Sequence, residues 1–355
     1  MAYTNIDDPS AFFQTKLYTA NGSDNRALTN DGNSDLKPDM LWIKTRNAAY
    51  NHSLWDSSRG VTLNMRTNHT NADITDNAGI KSFNTDGFTV GTSAYSNEGS
   101  SVTYAAWQWK ANGGTTTSVS ESQYNAGGTY QKNETAGFSV VSYTGIDTAG
   151  EVTHGLTTQP QVVIAKRRDV SGAWATYHES AGITGTLFLN ETAAAANTTA
   201  YFHTGWGSAT KFPIGTNSIT NADGGNYIAY VFSERQGYSK FGSYIANANT
   251  NGPFVYTGFN PAFLMIKNTN RVEPWMMYDN KRTPINQIDT VLQADSAGAE
   301  TTAAADYATD FLSNGFKIRA VGTGYANHTA GNKYIYMAFA ENPFTTSTGI
   351  PTTAR

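Results

Sequence analysis

Three stretches of this chain repeat one arrangement of proline, lysine and aromatic residues. Each stretch opens with a proline, continues as an apolar run and closes on a lysine six residues later. An aromatic residue stands eleven positions after each lysine, and a tyrosine opens a further apolar run 66, 67 or 73 residues after the proline. Because the anchors keep their order and nearly keep their spacing, they predict three copies of one module of about 100 residues. The anchors are Pro38, Lys44, Trp55 and Tyr104 in the first copy, Pro160, Lys166, Tyr177 and Tyr227 in the second, and Pro261, Lys267, Tyr278 and Tyr334 in the third.

Each copy has the sequence pattern of an all-β fold. The anchor runs are short, rich in Val, Ile, Leu and aromatic residues, and bounded by Pro, Gly, Asn and Asp, which is typical of strands separated by turns. Asp86-Gly87 and Asn314-Gly315 are dipeptides that favour tight hairpins. We therefore predict three tandem β-sandwich-like modules that superpose, with Trp42, Ile164 and Met265 buried at equivalent positions.

Composition along the chain predicts where the modules begin and end. Between the first and second copies lies a Gly/Ser/Thr-rich stretch that is typical of a linker, whereas the second and third copies follow each other almost directly. The predicted boundaries are an N-terminal arm at 1–13, module A at 14–110, a linker at 111–136, module B at 137–237, module C at 238–344 and a polar tail at 345–355.

The strand that follows each repeated proline is apolar on both faces. In module A one face presents Met40 and Trp42, and the other presents Leu41 and Ile43. A sandwich strand with a solvated outer side should alternate apolar with polar residues, so a loop, another module or another subunit must cover the second face.

We expect module A, held away by the linker, to be completed by a neighbouring subunit. The arm would then dock Phe12 and Phe13 on that partner. This predicts a homo-oligomer, and a trimer if the protein belongs to a fibre.

Composition argues against several function classes. Charged residues are only 15% of the chain and the net charge is −4, so the concentrated basic face that nucleic-acid binding requires is not expected. The chain has no cysteine, which excludes disulfides and thiolate metal sites. The first residues lack a signal-peptide pattern and no apolar run approaches membrane-spanning length. We expect a protein that is made in a cytoplasm, is not exported by a cleaved signal and does not insert into membranes.

The reactive side chains do not form a catalytic or metal-binding pattern. The repeated lysines Lys44, Lys166 and Lys267 are expected to lay their stems over the apolar strand and keep the ammonium group in water. The six histidines show no metal-ligand spacing, no carboxylate pair stands apart from turn-like contexts, and catalytic motifs are absent. We expect no enzyme, no catalytic residue, no metal and no cofactor, and we interpret oxygen-rich loops as solvated turns in preference to calcium sites.

Loop aromatics offer an alternative, since Trp, Tyr and Asn side chains bind sugar rings and hydroxyl groups. An exposed tyrosine in an aromatic-rich β protein is more often a rim or interface residue, and we favour that interpretation. The candidate glycan or partner contacts are Tyr50, Tyr95, Trp206 and Tyr325.

Several blocks resemble an uncharacterised family of virion proteins of marine bacteriophages, in which similar blocks lie next to tail-fibre or lectin-like segments. The blocks are Lys16-Leu-Tyr-Thr-Ala-Asn-Gly22, Gln236-Gly-Tyr-Ser-Lys-Phe-Gly-Ser-Tyr244, Gly252-Pro-Phe-Val-Tyr-Thr-Gly-Phe259 and Tyr334-Ile-Tyr-Met-Ala-Phe-Ala-Glu-Asn-Pro-Phe344. The resemblance implies a virion location, in a tail fibre or another surface appendage, and partners among other virion proteins and copies of itself. It leaves two alternatives open, a capsid decoration protein and a lectin-like module that binds a host surface glycan.

Overall fold

The computed structural model describes residues 2–203, 205, 208–321 and 324–352. It confirms an all-β protein with sandwich-like pairs of sheets. The short helices are α1 (Ser218–Asn221) and α2 (Ala304–Tyr307), with 3₁₀ turns at Pro9–Ala11 and Glu179–Ala181. Neither helix in the described part of the chain approaches the length and apolarity that a membrane-spanning segment requires.

Module A pairs a large antiparallel sheet with a small one. The large sheet has the order β1-β9-β3-β4-β5-β6, and the small sheet has the order β2-β8-β7. The strands are β1 (Phe13–Thr19), β2 (Arg26–Leu28), β3 (Met40–Thr45), β4 (Ser53–Asp56), β5 (Gly60–Met65), β6 (Ile74–Thr75), β7 (Ile80–Phe83), β8 (Phe88–Val90) and β9 (Thr103–Trp109).

Module B begins within the stretch predicted to be a linker. Its strands are β10 (Thr117–Val119), β11 (Asn125–Ala126), β12 (Gly128–Asn133), β13 (Phe138–Thr144), β14 (Gly150–Thr153), β15 (Val162–Arg167), β16 (Trp174–His178), β17 (Gly185–Phe188), β18 (Ala196–Asn197), β19 (Lys211–Ile214) and β20 (Asn226–Phe232). The large sheet runs β10-β12-β13-β20-β15-β16-β17-β18 and the small sheet runs β11-β14-β19.

Module C repeats the strand order of module A. Its sheets are β21-β29-β23-β24-β25-β26 and β22-β28-β27. The strands are β21 (Ser239–Ile245), β22 (Phe254–Tyr256), β23 (Phe259–Asn268), β24 (Met276–Asp279), β25 (Thr290–Gln293), β26 (Thr301–Thr302), β27 (Thr309–Leu312), β28 (Gly315–Ile318) and β29 (Lys333–Pro343).

The sequence anchors occupy equivalent places in the three modules. Met40 pairs with Trp109, Val162 with Phe232, and Phe263 with Phe339, so the proline-initiated strand lies in the same register each time. The tyrosines that open the last strand each stack on a tyrosine of the first strand, with ring centroids about 5 Å apart in all three copies. The stacked pairs are Tyr18 with Tyr104, Tyr143 with Tyr227, and Tyr244 with Tyr334.

The linker prediction is wrong for residues 117–133. Strand β12 pairs antiparallel with β13, and β11 pairs parallel with β14. Gln131 also donates from Nε2 to Ser57 Oγ (2.8 Å) and Ser58 Oγ (2.7 Å) of module A. The composition of the segment is that of a linker, but its backbone groups pair with the sheet edges of module B. The bonds of Gln131 then hold modules A and B together.

The two apolar faces of the proline-initiated strand pack in different cores. Trp42, Ile164 and Met265 belong to one central cluster shared by the three modules. The residues of the opposite face lie in a separate cluster within each module, beneath its small sheet. The second face is therefore covered inside the chain, and the expectation that another subunit completes module A does not hold.

The arm also packs within its own chain. Phe13 is 2% exposed and lies in the central cluster, 4.9 Å from Trp109 and 5.3 Å from Phe339 between ring centroids, while Phe12 contacts Tyr238 at 5.9 Å. The predicted docking of Phe12 and Phe13 on a partner is wrong, because their apolar site is formed by modules A and C of the same molecule.

Substitution of Ile164 tests the shared core. Ile164 is 4% exposed, and we expect Ile164→Ala to lower the free energy of unfolding by about 2 to 5 kcal/mol through lost burial and a residual cavity. Urea denaturation would measure this. Val170→Ala, at a 44% exposed position of the same module, should change the free energy by about 0.5 kcal/mol or less.

Candidate functional site

The three modules close into a ring around an aromatic axis. Trp109 and Phe232, which end β9 and β20, and Phe339, at the equivalent position of the longer β29, meet with ring centroids 5.5 to 6.4 Å apart. Each module contributes one ring, so the chain has an internal pseudo-threefold axis. Aromatic contacts of this kind add directional packing to the burial of large apolar surface.

At each joint, the contact between two neighbouring modules, one imidazole or indole N–H donates a hydrogen bond across it. The residue eight positions after the repeated lysine donates to a backbone carbonyl of another module: His52 Nε2 to Gln293 O (2.9 Å), Trp174 Nε1 to Arg66 O (3.0 Å) and Trp275 Nε1 to Phe188 O (3.0 Å). His52 Nδ1 accepts from Trp42 Nε1 at 2.9 Å, which leaves Nε2 as the protonated atom. Module A thus contacts C, B contacts A, and C contacts B.

A second hydrogen bond at each joint involves the residue that directly follows Trp55, Tyr177 or Tyr278. Asp56 Oδ2 accepts from the Tyr230 hydroxyl (2.7 Å), His178 Nε2 donates to Tyr336 O (3.0 Å), and Asp279 Oδ2 accepts from Trp107 Nε1 (3.1 Å). These bonds join A to B, B to C and C to A, so every joint is closed in the same way.

Two of these residues belong to fully buried ion pairs. Asp56 Oδ2 lies 2.6 Å from Arg59 Nε, and Asp279 Oδ2 lies 2.6 Å from Arg282 Nε, with no side-chain exposure in either pair. Burial opposes the charge on Arg59, but the adjacent Asp56 carboxylate outweighs it and raises the pKa of the guanidinium. The pairs hold each carboxylate in position to accept the bond from the neighbouring module.

The prediction that the ammonium groups of the repeated lysines lie in water is wrong. Lys44, Lys166 and Lys267 are completely buried. Lys267 Nζ donates to Asn268 O (2.7 Å), Arg271 O (3.3 Å) and Thr192 O of module B (3.2 Å). Carbonyl groups at the strand end replace water as acceptors, so the side chain has no need to reach solvent.

Equivalent bonds hold the other two lysines. Lys44 Nζ donates to Thr45 O (2.8 Å), and Lys166 Nζ donates to Thr70 O of module A (3.3 Å). Burial lowers the pKa of Lys44 to about 7 and those of Lys166 and Lys267 to about 8. Lys166 and Lys267 thus bind backbone of a neighbouring module, whereas the bonds described for Lys44 go to Thr45 and Ala48 of its own module.

Acidification should weaken the ring through His178. Its Nδ1 accepts from Ser180 N (3.1 Å) while Nε2 donates to Tyr336 O, so the joint requires the neutral ring. Burial lowers the pKa of His178 to about 4, against about 6.5 when unfolded. The contribution of neutral His178 to the free energy of unfolding is therefore complete above pH 6.5 and is lost as pH falls. At pH 4 the free energy of unfolding should be lower by about 3 kcal/mol.

Urea denaturation across this pH range would check the expectation. His178→Gln keeps a polar group at the joint but cannot bind the proton, so the variant should lose less stability than the wild type between pH 7 and pH 4. The charged neighbour that faces His178 is Lys333. An identical acid dependence in both proteins would contradict the assignment.

Several pockets among the described residues are lined by carboxylates. Grooves of about 530 and 520 Å³ have one each, Glu134 and Glu341. A pocket of about 90 Å³ has Asp31 and Glu341, and a groove of about 390 Å³ has Glu191 and Asp295. Asp31 forms ion pairs with Lys16 and Lys281, and Asp295 Oδ1 accepts from Trp275 N. Glu134 lies 3.0 Å from Arg235 in an ion pair. No cluster of three or more metal-ligating side chains occurs in the part of the chain that the structure describes.

The model of a domain of unknown function, DUF7483, matches residues 8–343. The chain belongs to this family. The match extends from the arm to the end of β29, so the DUF7483 unit corresponds to the whole ring of three modules. No curated protein and no solved structure matches the chain.

The structure brings together two of the candidate glycan contacts of this DUF7483 chain. Tyr50 and Tyr95 lie edge to face with centroids 6.2 Å apart, and the Arg66 guanidinium lies 4.6 Å above the Tyr95 ring. Tyr325 lies in module C, where it stacks on Tyr307 at 5.7 Å and is 37% exposed. Trp206 lies outside the described residues.

Sequence reasoning missed most of the joint residues. His52, Trp174 and Trp275 stand at one offset from the repeated lysine, so an alignment of the copies would have identified a fifth anchor. Asp56 and Asp279 each precede an arginine by three positions, a repeated pattern that indicates a local ion pair. His178 breaks that pattern and is recognisable only by its place in the alignment.

Proposed function

We propose that this protein is a structural component of a bacteriophage virion, in a tail fibre or another surface appendage, and that it acts through protein-protein packing. The observation that carries the proposal is the closed ring, in which the buried side chains singled out by the repeats bind other modules. Residues used in this way serve shape and rigidity. The resemblance of the sequence blocks to phage virion proteins supports the same assignment.

The internal symmetry supports a particle component in a second way. A trimeric partner presents three equivalent surfaces around one axis, and this ring presents three similar modules around its own axis. A single copy therefore matches a threefold partner without needing three chains. Capsid decoration remains the alternative within the same class, because capsid surfaces also offer threefold axes.

Fractionation of purified particles tests the location. Tails would be separated from capsids, peptides of the chain quantified by mass spectrometry in each fraction, and an antibody against the recombinant protein imaged on intact particles. We expect the peptides and the label in the tail or appendage fraction. Label confined to the capsid would select decoration, and particles without the chain would refute a virion role.

Host attachment through glycans is the second candidate, favoured by the tyrosine pairs. Tyr95 and Tyr325 each stand nine residues before the repeated tyrosines Tyr104 and Tyr334, and each packs against another tyrosine ring. A glycan array would compare the wild type with Tyr95→Ala and Tyr325→Ala. Tyr124→Ala, at a 58% exposed position elsewhere, is the control. Binding that survives both substitutions, or no binding by the wild type, would refute this candidate.

We also propose that the protein has no catalytic activity and needs no metal or other cofactor. The motivation is that lysine, histidine and aspartate side chains at the joints are committed to structural bonds. Elemental analysis showing a stoichiometric metal, or hydrolysis of a host polysaccharide by the purified protein, would refute it.

A further inference from the structure

A pocket of about 90 Å³ lies at the joint between modules C and A. Thr15, which lines it, pairs with Trp107 of β9, and Trp107 donates the hydrogen bond to Asp279 at this joint. The volume exceeds the roughly 10–15 Å³ that one water molecule needs, so a group of several heavy atoms fits there. One wall of the pocket is apolar and consists of Phe13, Ala262 and Ala340.

Three oxygen-bearing side chains that line this pocket lack a hydrogen-bond partner among the described residues. They are Thr15, which is only 4% exposed, Asn280, whose Oδ1 is buried, and Glu341. Buried polar atoms in folded proteins are normally paired, because leaving one unpaired costs free energy. The three side chains can all accept a hydrogen bond, so they indicate a donor that the chain itself does not supply.

The joint between modules B and C shows what pairs the equivalent carboxylate. Glu234 corresponds to Glu341, because each stands two residues after the aromatic ring at the axis. Lys240 Nζ donates to Glu234 Oε1 at 2.5 Å. Lys240 corresponds to Gln14, since each stands four residues before the stacked tyrosine of its strand. The Gln14 amide donates instead to backbone carbonyls of the arm and of the loop after β2, so Glu341 lacks the ammonium group that Glu234 binds.

The joint between modules A and B places a neutral nitrogen donor at the same position. Ser57 corresponds to Asn280, because each directly follows the buried aspartate of its module. Gln131 Nε2 donates to Ser57 Oγ at 2.8 Å. Gln131 lies opposite Val140 in the pairing of β12 with β13, and Val140 corresponds to Thr15, three residues before the stacked tyrosine. Both other joints are thus completed by a side-chain nitrogen of the chain.

The charges at the pocket favour a cation over a neutral donor. The charged lining residues are Asp31, Glu341 and Lys281, so the two carboxylates and one ammonium group leave one negative charge. Lys281 and Lys16 both pair with Asp31, at 3.4 and 3.1 Å, and Glu341 is the carboxylate without a pair. A primary ammonium group has three N–H donors and no acceptor, which matches one negative charge and three accepting side chains.

We propose that this pocket binds a primary ammonium group carried on an unbranched alkyl stem, as in a lysine side chain or a linear diamine. The ammonium group donates to Thr15 Oγ1, Asn280 Oδ1 and the Glu341 carboxylate, and the stem packs against Phe13. A groove of about 520 Å³ shares Asn280, Lys281 and Glu341 with the pocket, which gives the stem a path to solvent. The proposal does not depend on the virion assignment.

Ligand-observed NMR titration of the full chain tests the site, with butylammonium chloride as the probe. We expect a dissociation constant on the order of 1 mM, which is ordinary for a ligand of a few heavy atoms. Tetramethylammonium has the same charge without an N–H group, and butanol has the same stem without the charge. Both should bind at least about tenfold more weakly. Comparison of acetyl-lysinamide with diaminobutane would show whether a peptide lysine or a free diamine binds more tightly.

Two variants test the accepting side chains. Glu341→Gln keeps the shape of the side chain but removes its charge, and should raise the dissociation constant of butylammonium by about 20-fold. Thr15→Val introduces the residue that module B has at this position, removes one acceptor and should raise the constant by about fivefold. Asp24→Asn removes one negative charge from a surface pair with Lys81 and should leave the constant unchanged.

A wild type that does not bind butylammonium at about 50 mM would overturn the proposal. So would tetramethylammonium that binds as tightly as butylammonium, because the site would then respond to charge alone. A Glu341→Gln protein that folds, as judged by circular dichroism, and binds like the wild type would also overturn it. If Glu341→Gln does not fold, the Thr15→Val result decides: an unchanged dissociation constant overturns the site and weaker binding supports it.

Discussion

Replacing Phe339 by alanine should destabilise the whole ring, by about 3 to 5 kcal/mol. Phe339 is 1% exposed and contacts aromatic rings of all three modules. These rings are Phe13 and Trp109 of module A, Phe232 of module B, and Tyr238, Phe241 and Phe263 of module C. Because one side chain supports every module, we expect a single unfolding transition that moves as a unit.

Urea denaturation followed by tryptophan fluorescence would check this expectation. Trp42, Trp174 and Trp275 report on modules A, B and C respectively, and each belongs to the central cluster. Tyr124→Ala, which removes an aromatic ring that is 58% exposed, should change the free energy by about 0.5 kcal/mol or less. Separate transitions, with only module C weakened, would show that the modules fold independently.

Loss of the Asp56 carboxylate is the second large effect. Asp56→Ala removes the closer of the two carboxylates that pair with the buried Arg59 guanidinium, leaving Asp73 at 3.0 Å, and removes the acceptor of the Tyr230 hydroxyl. Removing one member of a buried ion pair costs about 3 to 5 kcal/mol. We expect a decrease of that size in the free energy of unfolding, together with a weaker joint between modules A and B.

Two variants separate the charge from the packing. Asp56→Leu combined with Arg59→Met removes the buried guanidinium together with its closer carboxylate, while Asp73 keeps its ion pair with Arg168, and should be less destabilising than Asp56→Ala. Asp24→Asn breaks the surface pair with Lys81, whose side chains are 49% and 28% exposed, and should cost about 1 kcal/mol or less. A double variant as unstable as Asp56→Ala would show that the loss of the closer partner of the buried Arg59 charge is not the cause.

Strands and repeats were predictable because they depend on local pattern. The proline, lysine and aromatic anchors placed β3, β15 and β23 in one register, and Asp86-Gly87 marked the hairpin between β7 and β8, where Gly87 has φ 87°. Burial of Trp42, Ile164 and Met265 followed from the same period of two. Each inference used residue types at fixed spacings along the chain and needed no knowledge of which distant segments meet.

The joint residues were not predictable in the same way. A buried lysine and a solvated lysine look alike in sequence, since the difference for Lys267 is whether carbonyls such as Thr192 O lie within reach. The 117–133 segment has the composition of a linker, yet it adds strands because an edge of module B is available. Both outcomes depend on groups that the local sequence does not specify.

The sequence by itself determined that each proline-initiated strand is covered on both faces, because apolar side chains on both sides of a strand must leave water. Only the tertiary structure decided what covers them. The contacts that close the ring, such as Trp107 with Asp279 across 172 positions, depend on how the modules meet in space. Hydrophobic burial has no direction and does not select a particular partner. The buried hydrogen bonds and ion pairs at the joints are directional and require particular partners, and those partners lie within the same chain.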